Sequence, residues 1–191
     1  MSKVVIFNGS PRKNGCTAKL LTEIRKGAES QGSQIVTFDL NDPGIKGCQG
    51  CYYCRRNDGC ATEDYLQPMY QEIIEADAIV VGSPIYYHQI SGQVKTWLDR
   101  TFPMVAGSKF EPRHPGKKLV TVFSQGNPNK DLFAEGINFL NNILQSYGWE
   151  LIDSILCFGS NRPEMDITTE QLEKAYQDGV SLGRSINNNI E

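Results

Sequence analysis

The sequence lacks the marks of membrane, secreted and nucleic-acid-binding proteins. No apolar run approaches the ~20 residues that a membrane-spanning helix requires. The opening residues, MSKVVIFNGS, break off at Asn8, Gly9 and Ser10 without a long apolar core or a small-residue cleavage site, so they read as a buried strand and not as a secretion signal. A formal net charge of −3 offers no basic footprint to nucleic acid. Repeats, low-complexity tracts and dividing linkers are also missing, so a single domain is expected over residues 1–191. These absences predict a cytoplasmic protein with no membrane or nucleic-acid partner, long enough to bury its core without disulfide staples.

Cysteine is scarce too, except in one place. Four of the six cysteines fall in GCQGCYYCRRNDGC, residues 47–60, and the others are Cys16 and Cys157. In a reducing compartment, clustered thiols more often bind metal or carry out redox chemistry than form structural disulfides.

Five β-rich apolar runs are present: 4–7, 34–40, 78–83, 119–124 and 150–158. Helical patterns separate them, which predicts an α/β fold with a parallel sheet covered on both faces. Helices are expected from near Thr17 to Gly32, within 63–76 around Pro68, from Ser91 to about Thr101, over the stretch carrying Leu132, Phe133, Ile137, Leu140, Ile143, Leu144 and Tyr147, and over roughly 168–187 on Leu172, Tyr176, Val180 and Ile186. Two stretches exceed ordinary connections, the Cys-rich loop at 41–61 and the Pro- and Gly-rich loop at 103–116. Long loops in compact domains often carry function, so both are candidate binding elements.

Directly after the first strand comes GSPRKNGCT, residues 9–17, which opens a helix. Backbone N–H groups at a helix start favour an anion; Ser10 and Thr17 add hydroxyls and Arg12 adds charge. The loop is neither G-x-G-x-x-G nor G-x-x-x-x-G-K-[ST], so a mononucleotide phosphate suits it better than a dinucleotide or a nucleoside triphosphate.

Together with GSPIYY at 82–87, placed in the loop after the third strand, GSPRKNGCT resembles the FMN sites of the NADPH-dependent FMN reductases, within the flavodoxin-like superfamily. The resemblance extends through VKTWLDR in the third helix to the last helix. It implies a flavodoxin-like three-layer sandwich with a five-stranded parallel sheet in the order 2-1-3-4-5 and FMN at the carboxyl edge, where ligands meet the switch point of an open α/β sheet. By the same resemblance, Ser10, Arg12, Asn14 and Thr17, with the backbone of Gly15, Cys16 and Ala18, surround the phosphate. Pro84, Ile85, Tyr86 and Tyr87 line the ring, and Ser124, Gln125, Gly126 and Asn127 approach its pyrimidine end. Cys16 departs from the residues usual there and is read as a small spacer. The family also implies homodimers or homotetramers, with the two long loops as candidate contacts.

Cys48, Cys51, Cys54 and Cys60 are spaced C-x2-C-x2-C-x5-C. The first three share the spacing that opens bacterial ferredoxin runs, which presents three thiolates to corners of a cubane; Asn57, Asp58 and Gly59 supply a turn that can return Cys60 to the fourth. Zinc, a disulfide and free thiols are the alternatives, and zinc fits three successive x2 spacings poorly. Set after the second strand of such a domain, the pattern resembles the iron-sulfur flavoproteins, a branch carrying a four-iron (4Fe-4S) cluster beside FMN. Tyr52, Tyr53, Arg55 and Arg56 are then its surroundings.

Lesser signals are His88, read as a solvated loop histidine or a flavin contact, Cys157 as a core thiol, and Asp99 and Arg100 as capping or subunit-contact residues. The functional expectation is an FMN-binding oxidoreductase taking a hydride from NAD(P)H and passing electrons to a quinone, flavin or other acceptor, with no catalytic acid or base nominated. The rival is an electron carrier in which cluster and FMN serve a ferredoxin-like partner. A flavin-binding thiol or metal sensor is the third reading.

Overall fold

The computed structural model describes residues 2–106, 109–160 and 167–187. The five expected strands form as β1 (Lys3–Asn8), β2 (Gln34–Asp39), β3 (Ala78–Tyr86), β7 (Lys118–Gln125) and β8 (Glu150–Phe158), joined by parallel pairing in the order β2-β1-β3-β7-β8. Counted among themselves, these strands stand in the order 2-1-3-4-5. Three two-residue strands are added: β4 (Gln89–Ile90), which folds back on β3, and the pair β5 (Val105–Ala106) and β6 (Glu111–Pro112).

The central strands are buried on both faces, and the period of two in a strand sends alternate side chains to opposite layers. Val4 and Ile6 of β1 join Val80, Val120 and Val122 beneath α1 (Cys16–Ser30) and α5 (Thr169–Asn187). Val5 and Phe7 point the other way, into a core with α2 (Met69–Glu75), α3 (Gly92–Arg100) and α4 (Ala134–Ser146). α1 and α5 pack backbone to backbone at two glycines. A Cβ on Gly27 would meet the Tyr176 carbonyl at 2.1 Å, and one on Gly179 the Ile24 carbonyl at 2.1 Å.

Several expected boundaries move. The third strand does not stop at Ser83: Pro84, Ile85 and Tyr86 continue it, and the chain reverses through Tyr87 and His88 into β4. Both turn residues have positive φ, 47° and 65°, the geometry that matches the twist of a two-residue hairpin. Ser124 and Gln125 likewise end a strand and do not lie in a loop. Leu132 and Phe133 precede α4, because side-chain turns at Asn127 and Asn129 hold that stretch out of the helix. Pro68 sits at the start of α2, consistent with its fixed φ. The Ile186 side chain, expected on the last helix face, lies outside the described residues. Among the described residues, no helix is long and apolar enough to cross a membrane.

Candidate functional site: a phosphate loop and a cysteine loop at one sheet edge

The strand order reverses between β1 and β3, so the segments after β1, β3 and β7 come together at their carboxyl ends. The first is the 9–15 loop. The Gly9 N–H donates to the Gly82 carbonyl at 2.8 Å, seating the loop against β3. There is no room there for a side chain: a Cβ on Gly9 would stand 2.1 Å from Val94 Cγ2 and 2.8 Å from that carbonyl. Ser10 holds the curl that follows. Its Oγ accepts from the Arg12 N–H at 3.2 Å and donates to the Arg12 carbonyl at 3.1 Å, while its own N–H donates to Asn8 Oδ1 at 3.1 Å.

The loop opens α1 with Gly15 as N-cap, which offers no side-chain cap, and no acidic residue occupies the first turn. The positive end of the helix is therefore left to a ligand anion, with Arg12, Lys13 and Asn14 exposed beside it. Thr17 turns inward. Its hydroxyl pairs with Ser124 Oγ at 2.8 Å in a buried bond and ties the first segment to the third.

The second segment is the β3–β4 hairpin. Pro84 and Ile85 are buried, Tyr86 is half exposed and Tyr87 is fully exposed at the turn. His88 is exposed in the turn, as a solvated loop histidine would be, and its ring packs edge-on against Phe133, 4.6 Å between centroids. In the third segment, Gln125 donates from Nε2 to the carbonyls of Asn127 at 3.1 Å and Asn129 at 2.7 Å. Its buried Oε1 has no hydrogen-bond partner among the described residues, which leaves an acceptor available to a bound group at this edge. Gly126 follows, half-buried. Ser91 binds the segments together: its Oγ donates to the Gly9 carbonyl at 3.0 Å and caps α3 through the Val94 N–H, and its N–H donates to Ser83 Oγ at 3.0 Å.

The cysteine loop follows β2. Positive φ at Gly50, Tyr52 and Gly59 curls it, and at Tyr52, φ 57°, the strained turn brings the Arg55 guanidinium over the ring, 5.0 Å from its centroid. Cys48, Cys54 and Cys60 border a cavity of about 340 Å³, with Tyr52, Arg100 and Phe102 in its wall. Cys51 faces a neighbouring cavity of about 570 Å³ between Tyr52, Tyr53, Arg55 and Arg56. Two sulfurs already accept backbone bonds: Cys48 from the Gly50 N–H at 3.5 Å and Cys60 from the Thr62 N–H at 3.4 Å.

Burial pushes the Cys54 thiol above its ordinary value, and the charges of Cys60, Cys48 and Cys51 add to the rise. Burial acts the same way on Cys60, but the Thr62 hydrogen bonds and the Arg100 charge outweigh it and lower its value. Among the described residues, no group of three His, Cys, Asp or Glu side chains is closed tightly enough to hold a single metal ion.

Sequence reasoning missed the groups that hold this loop. Arg100, read as a capping or contact residue, is 1% exposed and forms a two-pronged ion pair with Asp64, 2.7 Å from Nη1 to Oδ2 and 3.1 Å from Nη2 to Oδ1. Burial alone would raise the Asp64 carboxyl, but Arg100 and the Lys46 and Leu66 amides hold it below the usual carboxylate range. The available signal was spacing: Arg100 continues the Val94–Trp97 stripe, a charged residue on the buried face of its helix. Arg113 of the 103–116 loop grips the other side, donating to the carbonyls of Cys54 at 3.1 Å and Asn57 at 3.2 Å and to Asp58 Oδ1 at 2.6 Å. No pattern in the sequence marked it.

This architecture is the flavodoxin-like fold. Residues 2–129 match the family described as NADPH-dependent FMN reductase, and the chain belongs to that family. It is an FMN-binding oxidoreductase by class.

Several relatives carry the name iron-sulfur flavoprotein. An iron-sulfur flavoprotein of Archaeoglobus fulgidus is 27% identical over 183 residues, covering 96% of this chain and 80% of that protein. One from Methanocaldococcus jannaschii is 29% identical over 161 residues, covering 84% and 78%. Among solved structures, an NAD(P)H:quinone oxidoreductase from Methanothermobacter marburgensis superposes with a TM-score of 0.77 at 22% identity, over 95% of this chain and 96% of that one.

Proposed function

We propose that this oxidoreductase works in the cytoplasm, as a homodimer or homotetramer, drawing electrons from NAD(P)H and delivering them to a quinone, flavin or other small acceptor. Bound FMN would supply the redox chemistry, taking up a hydride and giving up electrons, which the side chains themselves do not do. The chain's residues bind and orient it. Ser10, Arg12, Asn14 and the amides of Gly15, Cys16, Thr17 and Ala18 hold the phosphate. Pro84, Ile85, Tyr86 and Tyr87 flank the ring, and Ser124, Gln125 and Gly126 meet its polar end. The observation that carries this reading is the uncapped start of α1 at the switch point, with the orphaned Gln125 Oε1 at the same edge.

The second reading adds a 4Fe-4S cluster on Cys48, Cys51, Cys54 and Cys60 that exchanges single electrons with FMN and with a ferredoxin-like partner. Its support is the cavity that Cys48, Cys54 and Cys60 share and the backbone N–H bonds already directed at two of them, a feature that tunes cluster potentials. An anaerobic preparation assayed for flavin, iron, sulfide and zinc separates the cases. Flavin with iron and sulfide supports the cluster; flavin alone, or zinc, rejects it. Stopped-flow mixing with NADPH tests the reductase, and failure to bleach the flavin would reject NADPH as donor.

A further inference from the structure

Every cysteine of the loop lies between Lys46 and Thr62, and one buried side chain reaches both of those residues. Arg100 donates from Nη1 to the Lys46 carbonyl at 2.7 Å and from Nη2 to the Thr62 carbonyl at 3.2 Å, and the same two nitrogens make the ion pair with Asp64. Asp64 in turn accepts from the Lys46 N–H at 2.8 Å and the Leu66 N–H at 3.1 Å. Nε donates to the Tyr70 hydroxyl at 3.3 Å, and that hydroxyl donates to the Arg100 carbonyl at 3.0 Å. The guanidinium therefore closes the base of the loop, and it also stands in the wall of the cavity that Cys48, Cys54 and Cys60 share. At the other end of α3, Ser91 is keyed to the Gly9 carbonyl and to Ser83.

We propose that Arg100 is a positioning residue: it locks both feet of the cysteine loop to the C-terminus of α3 and so holds Cys48, Cys54 and Cys60 around their shared cavity, while the N-terminus of the same helix is tied to the phosphate-loop edge. Arginine is required for its geometry as much as its charge. A lysine carries one point charge and cannot reach two carbonyls and both carboxylate oxygens at once. The inference rests on the cluster reading only for what the cage holds; the closure of the loop is a property of the chain itself.

The test uses the full chain, reduced and free of iron, with Arg100→Met, Arg100→Lys and Asp64→Asn. Hydrogen exchange and cysteine alkylation are followed by mass spectrometry. In each variant, exchange across residues 46–62 and alkylation of Cys54 and Cys60 should rise at least about tenfold while β1 and α1 are unchanged, and Arg100→Lys should not restore protection. Should Arg100→Met fail to fold, the isosteric Asp64→Asn and the charge-conserving Arg100→Lys decide the matter. Unchanged protection of the loop, full rescue by lysine, or an equal rise in β1 and α1 would overturn the proposal. A second arm loads each chain anaerobically with ferrous iron and sulfide and reads the visible spectrum. A wild-type chain that takes up none refutes the cluster and leaves the exchange arm to decide the role of Arg100. Normal loading with an unaltered spectrum in all three variants counts against the positioning role.

Discussion

The loop after β1 takes its curl from its own backbone and the Ser10 hydroxyl, whereas the loop after β2 is closed by charged side chains arriving from elsewhere in the chain. In the first, Ser10 closes a turn on Arg12 within the loop itself, and the curl is then seated on β3 through Gly9 and held by the Ser91 hydroxyl. In the second, the feet are joined by Arg100 from 36 residues beyond Asp64, and the far side is gripped by Arg113, 59 residues beyond Cys54. A local anion cradle is ready as soon as its strand and helix form. A cage of four thiols within one loop has no such scaffold, and its shape is set only after α3 and the 103–116 loop have docked.

The sharpest break in this comparison is Arg100→Met, which strands Asp64 in the interior and should cost about 3–5 kcal/mol in thermal or denaturant unfolding. A cost below that of a phosphate-loop substitution would reverse the ranking of the two loops. The same pair predicts an acid effect. Its carboxyl is depressed in the folded chain, so its contribution is complete above the unfolded value of about 3.9 and is lost as the pH falls from there through the folded value. Melting curves between neutral pH and pH 3 should show this loss in the wild type and less of it in Asp64→Asn.

Gly9→Ala should cost ~1–3 kcal/mol through overpacking against Val94 and the Gly82 carbonyl. It should weaken FMN binding in a fluorescence titration while leaving cysteine alkylation unchanged; altered alkylation would mean that the two loops are not separately held. Thr17→Val removes the buried bond to Ser124 at a cost of about 1 kcal/mol, and should loosen the third segment as read by exchange near Gln125. The smallest effect is expected from Tyr87→Gly, which relieves a left-handed residue and should raise stability by up to ~1 kcal/mol. A stabilised variant with unchanged flavin affinity would remove Tyr87 from the site.

The same contrast explains what was legible beforehand. The five strands, the five helices and the phosphate loop follow from local pattern: continuous apolar runs, helical spacing, and glycine and hydroxyl residues at a strand-to-helix turn; the order of the strands came only from the family resemblance. The cysteines were conspicuous because their type and spacing are local as well. The continuation of β3 through Pro84 to Tyr86 was not legible, since proline and a tyrosine pair read as loop until a returning strand supplies the partner. Leu132 and Phe133 carry helical spacing, but asparagine side chains compete for the backbone just before them.

By itself the sequence determined the layers and which residues could serve as ligands, because each depends on short-range periodicity or on side-chain chemistry. Only the tertiary structure decided that Arg100, Asp64, Tyr70 and Arg113 enclose the cysteine loop. Those contacts span tens of residues, and nothing in the short-range pattern around either partner says where a buried charge will find its counter-ion.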